Sequence, residues 1–388
     1  MDKNNNSNNQ PVLASVLEPT DENIKKCAEY ILQGGIVGMP TETVYGLAAS
    51  AFNVKACEKI FEYKGRPLND PLIVHVSSME MAEKIIEINK ETLELFKILS
   101  NKFWPGPLTI VLKANLELID KKLIAGGVSV GIRFPIHEIA RKFINECNVP
   151  IAAPSANKFC HISPVNPFHV YEDFKEFPVK IINGGVCNFC MESTVIKITT
   201  EKIIVFRMGA VSPDDIKKTL SAFDKYKNFP IECLAKKINV PKQIIQQMCQ
   251  GEHDNSTTIN QEAPGQFLKH YSPKLETFLY SGDDCSDYIK EINLSDKIIF
   301  IDYMQIMYKK YYSMIKKDEN FLELSKNGSS VEVMKNFYDF LHKAELIPNK
   351  TTIIICDLEK YMEENEHKLT LLDRMWKAAS FKKIKIIV

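Results

Sequence analysis

The sequence lacks an excess of charge of either sign, with 49 Lys and Arg residues against 49 Asp and Glu residues. Proteins that bind nucleic acid over a broad surface usually carry a basic field, so the composition does not favour such an interface. The sequence also lacks an apolar run near the roughly 20 residues that cross a bilayer. We therefore expect no membrane-spanning segment and no large nucleic-acid surface.

Targeting and disulfide signals are scarce as well. The first ten residues are rich in asparagine and contain neither an apolar signal core nor an Arg-rich amphipathic pattern, so we expect residues 1–18 to be a disordered extension. The ten cysteines are scattered, and only Cys187 and Cys190 form a C-x-x-C pair. This usage is typical of a reduced, cytoplasmic protein. We favour ordinary loop thiols over a zinc or redox site and expect no metal-ligand cluster.

Familiar catalytic signatures are absent too. The sequence contains no G-x-x-x-x-G-K-[ST], no H-E-x-x-H and no G-x-S-x-G. A phosphate site in this protein must therefore use a device other than a P-loop.

What is present is an alternation of short apolar runs and amphipathic helices, which predicts an α/β layer domain over 19–213. Helical spacing is seen, for example, in Val54, Cys57 and Ile60. The strand-like runs are 35–39, 71–76, 108–113, 128–134, 151–153, 193–199 and 202–206.

A second α/β pattern predicts a smaller Rossmann-like domain over 275–388. Residues 214–274 precede it, and their weak helical periods and the polar run 251–261 are typical of an insertion and interdomain linker. No G-x-G-x-x-G opens a helix of the second domain, so we do not expect a dinucleotide site. Its strand-like runs and helical stretches are 275–280, 297–302, 351–357, 330–343 and 371–379.

Two cations flank a glycine in KGRP (64–67), between a predicted helix and the strand-like run 71–76. A guanidinium fork and an ammonium there can clamp a triphosphate. Cations are equally favourable at a helix C-terminus. Taken alone, these four residues favour the helix-end interpretation.

Polar clusters follow other strand-like runs. PTETVYGL (40–47) suits either a helix N-cap or backbone N–H groups that face an anionic ligand. APSAN (153–157) and EST (192–194) are similar clusters, although such residues also populate turns. Arg133 and Arg207 are more informative, because an arginine within a β-like run must reach solvent or meet an anion.

Read in order, these pieces resemble the YrdC-like threonylcarbamoyl-AMP synthase family in its two-domain form. The resemblance implies an α/β fold with a YrdC-like twisted mixed sheet and a smaller C-terminal Rossmann-like domain. PGQFLKHYSP (264–273) resembles the linker of the two-domain members, and DRMWKAA (373–379) resembles their C-terminal signature. The stretches that match the first domain are PTETVYGL, KGRP, PLIVHV (71–76), WPGPLT (104–109), GIRFP (131–135), APSAN, EST and FRMG (206–209).

The resemblance implies a nucleotidyltransferase that makes threonylcarbamoyladenylate from L-threonine, bicarbonate and ATP and releases pyrophosphate. Mg²⁺ is expected with ATP, because charge develops on the phosphates during the transfer. The product would serve a tRNA-modifying threonylcarbamoyl transferase complex, which acts on the adenosine next to the anticodon.

The resemblance also implies roles for single residues. Lys64 and Arg66 would be catalytic, and Tyr271 would close over the nucleotide as a lid. A lone histidine at the end of an apolar strand, such as His75, is also common as a structural residue. The residues expected to contact threonine are Thr43, His75, Arg133, Ser155 and Ser193. The residues expected around ATP are Lys64, Arg66, Asp70, Ser129, Asn157, Val165, Arg207 and Tyr271.

Departures from the family pattern fall at the nucleotide loop, and relatives of this fold offer two other functions. Asp70 stands where the family usually has Asn, Val165 replaces a Thr, and Phe159, Cys160 and Cys190 replace small residues. One alternative is a module of this fold that binds RNA weakly and has lost catalysis, although the balanced charge disfavours it. The other is a carbamoyl-transfer enzyme, although the Cys pairs of its zinc-finger modules are absent.

Overall fold

The chain folds around two separate sheets. The computed structural model describes residues 13–234, 261–264 and 270–387, apart from positions 288 and 314. Within these residues, the first part of the chain builds an eleven-stranded mixed sheet and the last part builds a six-stranded sheet. The predicted α/β class, with one large mixed sheet and one smaller Rossmann-like sheet, is confirmed.

The elements of the two domains follow each other in chain order. The strands of the first sheet are β1 (Ser15–Leu17), β2 (Ile36–Met39), β3 (Gly46–Ser50), β4 (Ile73–His75), β5 (Leu108–Lys113), β6 (Ser129–Arg133), β7 (Ile151–Ala152), β8 (Val179–Ile182), β9 (Thr194–Ile198), β10 (Ile203–Arg207) and β11 (Ile231–Cys233). The helices of this domain are α1 (Asp21–Leu32), α2 (Val54–Lys64), α3 (Met79–Lys84), α4 (Lys90–Phe103), α5 (Glu138–Cys147), α6 (Pro167–Phe174) and α7 (Pro213–Leu220). The strands of the second sheet are β12 (Glu276–Tyr280), β13 (Lys290–Asn293), β14 (Ile298–Asp302), β15 (Phe321–Glu323), β16 (Thr352–Cys356) and β17 (Lys383–Ile387). The helices of the second domain are α8 (Ile306–Tyr311), α9 (Lys317–Asn320), α10 (Ser330–Leu346), α11 (Leu358–Tyr361) and α12 (Lys368–Ala378).

One edge of the first sheet collects polar residues from several strands. The strands lie in the order β1-β8-β2-β3-β7-β4-β6-β5-β9-β10-β11. β4 and β6 are parallel, and their last residues, His75 and Arg133, pair in register. Arg133 also pairs with Thr109 of the antiparallel strand β5, and Arg207 pairs with Val195 across β9 and β10. Strand ends that are distant in sequence therefore meet at this edge.

Helix α2 brings the KGRP motif to the same edge. Asn53 caps its first turn, because its side chain accepts a hydrogen bond from the N–H of Ala56 at 3.1 Å. The helix ends at Gly65, which has a left-handed backbone with φ 66°. A residue with a side chain adopts this conformation only at a cost. The chain therefore leaves the helix sharply at KGRP, and the predicted helix end is confirmed.

The second sheet is parallel and buried. Its strands lie in the order β13-β17-β12-β16-β14-β15, and its pairs run parallel. Strands of a parallel sheet are covered on both faces, which explains why β14 and β16 are almost continuous apolar runs. No helix among the described residues combines the length and the apolar character that spanning a bilayer requires.

Two expected boundaries need correction. The extension expected to be disordered over 1–18 ends earlier, because β1 pairs in parallel with β8; residues 1–12 lie outside the described residues. The region 214–274 is not only insertion and linker, because β11 pairs with β10 and extends the first sheet. Most of the polar run 251–261 lies outside the described residues.

The helix N-cap interpretation of PTETVYGL is wrong. The Oγ1 of Thr41 accepts hydrogen bonds from the N–H groups of Thr43 at 3.1 Å and Val44 at 3.2 Å. This closes a tight side-chain turn rather than a helix. The chain then enters β3, which the sequence reasoning missed because its residues GLAAS are weak strand formers.

A cluster of histidines and carboxylates joins the two domains. The Nδ1 of His161 lies 3.0 Å from Oδ2 of Asp173 on α6, and its Nε2 lies 3.0 Å from Oε2 of Glu345 on α10. Beside it, the rings of His169 and His342 stack with 3.7 Å between centroids. Burial lowers the pKa of His169 to about 4 and that of His342 to about 3. Burial opposes the charge of His161 too, but its hydrogen bonds to the two carboxylates raise its pKa to about 9.

The stability of this interface should depend on the proton that His161 carries. A pKa raised by folding stabilises the protein below the unfolded value, near 6.5, and this contribution is lost as the pH rises through about 9. Replacing His161 with Gln should therefore cost on the order of 3 kcal/mol of unfolding free energy at pH 6 and almost none at pH 10. Urea unfolding of both proteins from pH 6 to 10 measures the difference. A difference that stays constant with pH would contradict the expectation.

Candidate active site

A cavity of about 40 Å³ lies between the strand edge and the segment that carries Pro264, His270 and Tyr271. Eight of the thirteen residues predicted for the site line it, and five do not. The eight that line the cavity are Thr43, Arg66, His75, Arg133, Ser155, Ser193, Arg207 and Tyr271.

A buried ion pair lies at one end of the cavity. Nη2 of Arg133 is 2.7 Å from Oε1 of Glu42. Burial, together with the charge of Arg133, lowers the pKa of the neighbouring His75 to about 3, so this ring is neutral at physiological pH. Within the described part of the chain, Nε of Arg133, Oε2 of Glu42 and Nδ1 of His75 have no hydrogen-bond partner. Buried polar atoms without partners are costly, so this end is suited to a small polar ligand.

Arg207 and Ser193 form a second unit of the wall. Nε of Arg207 donates to the carbonyl of Ser193, and Nη2 donates to its hydroxyl, both at 3.1 Å. The same hydroxyl lies 2.8 Å from Oγ1 of Thr109. Burial lowers the pKa of Arg207, which means that this cation has given up much of its solvation. A bound anion would compensate for this lost solvation.

Arg66 is held by the chain that follows it. Its Nε donates to the carbonyl of Asp70 at 3.1 Å, and its Nη2 donates to the carbonyl of Pro71 at 2.8 Å. Nη2 also lies 2.9 Å from Oδ1 of Asp70, and both side chains are buried. Burial raises the pKa of Asp70, and the charge of Arg66 opposes the rise. Asp70 therefore acts on the site through Arg66 and does not itself line the cavity.

Lys64 lies behind the cavity wall. Its Nζ donates to the carbonyls of Ser155 at 2.6 Å and Asn157 at 2.5 Å. Burial and the charge of Arg66 lower its pKa well below the ordinary lysine range. Lys64 thus fixes the APSAN segment. Nδ2 of Asn157 donates to two backbone carbonyls. Its Oδ1 is buried without a hydrogen-bond partner among the described residues.

Ser129 and Val165 are not brought to the cavity. Ser129 begins β6, four residues and about 13 Å along the strand from Arg133, so its expected contact with ATP stays a prediction. Val165 is fully buried, and both of its backbone polar groups have partners. Its N–H donates to Nδ1 of His169 at 3.3 Å, and its carbonyl accepts from the N–H of Cys187 at 2.9 Å. Its expected contact with ATP also stays a prediction.

Glu192 is the centre of a buried cluster that the sequence reasoning did not assign. Its Oε1 accepts from Oγ of Ser163 at 2.6 Å and from the hydroxyl of Tyr338 at 3.1 Å. Its Oε2 accepts from Nε of Arg374 at 2.9 Å. Tyr338 and Arg374 belong to α10 and α12, so the second domain reaches the wall of the cavity. The DRMWKAA signature was the available signal, but a helical pattern does not say which residue a side chain meets.

Tyr271 covers the cavity from the segment between the domains. Its backbone has φ 61°, which is uncommon for a residue with a side chain. Its ring is buried, 5.1 Å from the guanidinium of Arg374 and 5.7 Å from the ring of Tyr338. Its hydroxyl has no hydrogen-bond partner among the described residues. The neighbouring His270 is buried too, and burial lowers its pKa well below the usual histidine range.

The cavity therefore has the chemistry of an anion site. Three arginines and one glutamate line it, and all four are buried. Guanidinium groups bind carboxylates and phosphates with two parallel hydrogen bonds. Cys187 and Cys190 are buried free thiols, and burial raises the pKa of both.

Comparison with known proteins gives matches to both domains. Residues 29–209 match the family described as "Telomere recombination", and residues 233–380 match the family described as "Threonylcarbamoyl-AMP synthase, C-terminal domain". The chain is 35% identical over 272 residues to the threonylcarbamoyl-AMP synthase of Pyrococcus abyssi, which covers 70% of this chain and 72% of that protein. It is 30% identical over 371 residues to that of Schizosaccharomyces pombe, which covers 89% of this chain and 85% of the relative.

A solved structure has the same two-domain architecture. The crystal structure of P. abyssi Sua5 complexed with L-threonine superposes with a TM-score of 0.73 at 27% identity, over 97% of this chain and 100% of that one. The sequence relatives, the matched domains and this fold agree. The chain belongs to the threonylcarbamoyl-AMP synthase family and is an enzyme of that type.

Proposed function

We propose that this enzyme joins L-threonine, bicarbonate and ATP into threonylcarbamoyladenylate and releases pyrophosphate. The observation that carries the proposal is the convergence of Arg66, Arg133 and Arg207, from three distant segments, on one buried cavity. One arginine for an amino-acid carboxylate and two for a polyphosphate match the charges of the two larger substrates.

The end of the cavity around Arg133 is the proposed threonine site. Nε of Arg133 is free to bind a carboxylate while Nη2 holds Glu42. Thr43 and the neutral His75 add a hydroxyl and a ring nitrogen suited to the ligand's polar groups. P. abyssi Sua5 forms a crystalline complex with L-threonine, and this supports the assignment.

The end around Arg66 and Arg207 is the proposed triphosphate site. Burial lowers the pKa of both guanidinium groups, the charge of Arg207 lowers that of Arg66 further, and the charge of Arg374 lowers that of Arg207. Asp70 and Glu192 offset part of these charges, and a bound anion would offset them further. Lys64 supports this end from behind. Side chains already fixed by the protein stabilise developing charge without reorganisation.

The chemistry requires a shielded site. The threonine amine and bicarbonate form a carbamate and water, and a carbamate oxygen then attacks the α-phosphorus of ATP as the bond to pyrophosphate breaks. A carbamate is unstable in water, so it must be held beside the phosphate with water excluded. The cavity of about 40 Å³ has room for only a few waters. Substrates therefore enter by displacing a wall, and we assign that movement to the segment with Tyr271.

Mg²⁺ enters with ATP in this proposal. Among the described residues, no group of three or more His, Cys, Asp or Glu residues could hold a metal ion. Two carboxylates beside the proposed phosphate site, Asp70 and Glu192, are both paired with arginines. The residues present thus do not offer a resident magnesium site, and phosphate oxygens and water would ligate the ion.

Pyrophosphate release tests the proposal. With ATP and Mg²⁺, release should require threonine and bicarbonate together and fall to background when either is omitted. Mass spectrometry with labelled threonine should find the label joined to AMP. Release without threonine would contradict the proposal. No release, together with RNA binding, would favour a binding module, and product formed from carbamoyl phosphate would favour a carbamoyl-transfer enzyme.

We further propose that the product supplies a tRNA-modifying threonylcarbamoyl transferase complex in the cytoplasm. A carbamoyl adenylate is an activated group, and an acceptor nearby must use it before water does. The balanced charge of the chain suggests that the acceptor complex, rather than this enzyme, binds the tRNA tightly.

A further inference from the structure

Helix α12 places one side chain against two residues of the cavity wall, Glu192 and Tyr271, and against the backbone next to a third, Arg207. Arg374 is fully buried. Its Nε donates to Oε2 of Glu192 at 2.9 Å, and its Nη2 donates to the carbonyl of Met208 at 2.7 Å. The Cζ of its guanidinium lies over the ring of Tyr271, 5.1 Å from the centroid. Nη1 is held by the neighbouring Asp373. Every side of this cation is therefore engaged.

The two segments that Arg374 holds are those that carry the Ser193–Arg207 unit. Glu192 precedes Ser193, and Met208 follows Arg207. The segments also touch directly at Gly209, where a Cβ atom would lie 2.3 Å from the carbonyl oxygen of Glu192. Arg374 thus holds two segments whose backbones are already in close contact. A change in it would move the 3.1 Å bond between Nη2 of Arg207 and Oγ of Ser193.

We propose that Arg374 is a positioning residue through which the second domain completes the active site. It holds Ser193 and Arg207 in register and gives Tyr271 a surface to dock on when the cavity is closed. The catalytic groups stay those of the first domain. Arg374 contacts no reacting atom, and it acts through Glu192, Met208 and Tyr271. The kinetic part of this inference rests on the function proposed above.

The geometry excludes an equal role for a lysine. An ammonium is a single point charge, whereas this guanidinium reaches a carboxylate and a carbonyl while its Cζ lies over a ring. Arg374→Lys should therefore rescue only part of the effect. Burial opposes the charge of Glu192, yet Arg374 and Arg207 hold the pKa of Glu192 below its usual range. A variant that removes Arg374 alone would leave that charge buried, so the double variant R374M/E192Q is the better test.

The test compares four full-length proteins: wild type, R374K, R374M/E192Q and the control R141M. Arg141 lies on α5 and does not line the cavity, so R141M controls for the loss of an arginine as such. We expect kcat for threonine-dependent pyrophosphate release to fall about tenfold in R374K and at least a hundredfold in R374M/E192Q. The dissociation constant for threonine alone should change less than threefold, and R141M should keep the wild-type kcat. A folded R374M/E192Q protein with a kcat within threefold of wild type would overturn the proposal.

A crystal structure of R374M/E192Q tests the proposal without measuring activity. We expect Tyr271 to leave the cavity and the bond between Arg207 and Ser193 to lengthen beyond 3.5 Å. Unchanged positions of both would overturn the inference even if the wild type turned over as proposed. If the wild type releases no pyrophosphate, the proposed function fails, and the structural comparison still decides the role of Arg374.

Discussion

Replacing Arg66 with Met, in a chain that also carries Asp70→Asn, should lower threonine-dependent pyrophosphate release by about 10²- to 10³-fold. This is the loss that follows when one fixed group that stabilises developing charge is removed. Arg66 is buried in the cavity wall and its direction is set by two backbone carbonyls, so in the proposed complex it would meet the phosphates without rearrangement. The rate is measured by continuous pyrophosphate detection.

The second substitution is needed because Arg66 and Asp70 form a buried pair. Removing the arginine alone would leave an uncompensated carboxylate, which typically costs about 3–5 kcal/mol of stability, and an inactive protein could then be an unfolded one. The D70N single variant is the reference for the rate. Arg141 lies on α5, away from the cavity, so R141M controls for the loss of an arginine as such. More than a tenth of the reference rate in R66M/D70N would contradict the role of Arg66.

Removing the ion pair at the other end of the cavity should act on threonine rather than on ATP. In R133M/E42Q we expect KM for threonine to rise about 100-fold, because truncating one partner of a buried charge-assisted contact costs about 2–5 kcal/mol. KM for ATP should change less than threefold. Changing both members of the pair avoids leaving Glu42 alone in a buried site.

Steady-state kinetics with each substrate varied in turn separates these effects. R141M again serves as the control and should keep both wild-type KM values. Equal increases in the two KM values would mean that the variant has disturbed the whole cavity, and an unchanged KM for threonine would show that its carboxylate binds elsewhere.

The layers of the fold could be predicted from the sequence more readily than its edges. Buried runs such as β5 and β14 are rich in β-branched and aliphatic residues, so both were predicted within a residue or two. β3 was missed, because small residues fit a crowded central strand but have no strand preference of their own. β1 and β11 were missed because each is defined by its pairing with another strand, β8 and β10 respectively. The local sequence does not identify that partner.

Short motifs predicted which residues belong to the site but not which contacts those residues make. The chain has five arginines among its 388 residues, and the three that line the cavity lie in motifs noticed in the sequence. The role of Arg374 could not be predicted, because Glu192 lies 182 residues away along the chain. Nor does a motif distinguish a side chain that lines a cavity from one that lies behind it, as Lys64 and Asp70 do.

Four buried cations of this site share one kind of partner, whereas Arg133 pairs with the carboxylate of Glu42. Each of the four donates to main-chain oxygen: Arg66 to Asp70 and Pro71, Lys64 to Ser155 and Asn157, Arg207 to Ser193, and Arg374 to Met208. A carbonyl stays in place when the residue that bears it is exchanged. The layout of these four positive charges is therefore tied to the path of the backbone, and the residues that bear those carbonyls can be exchanged without scattering the charges.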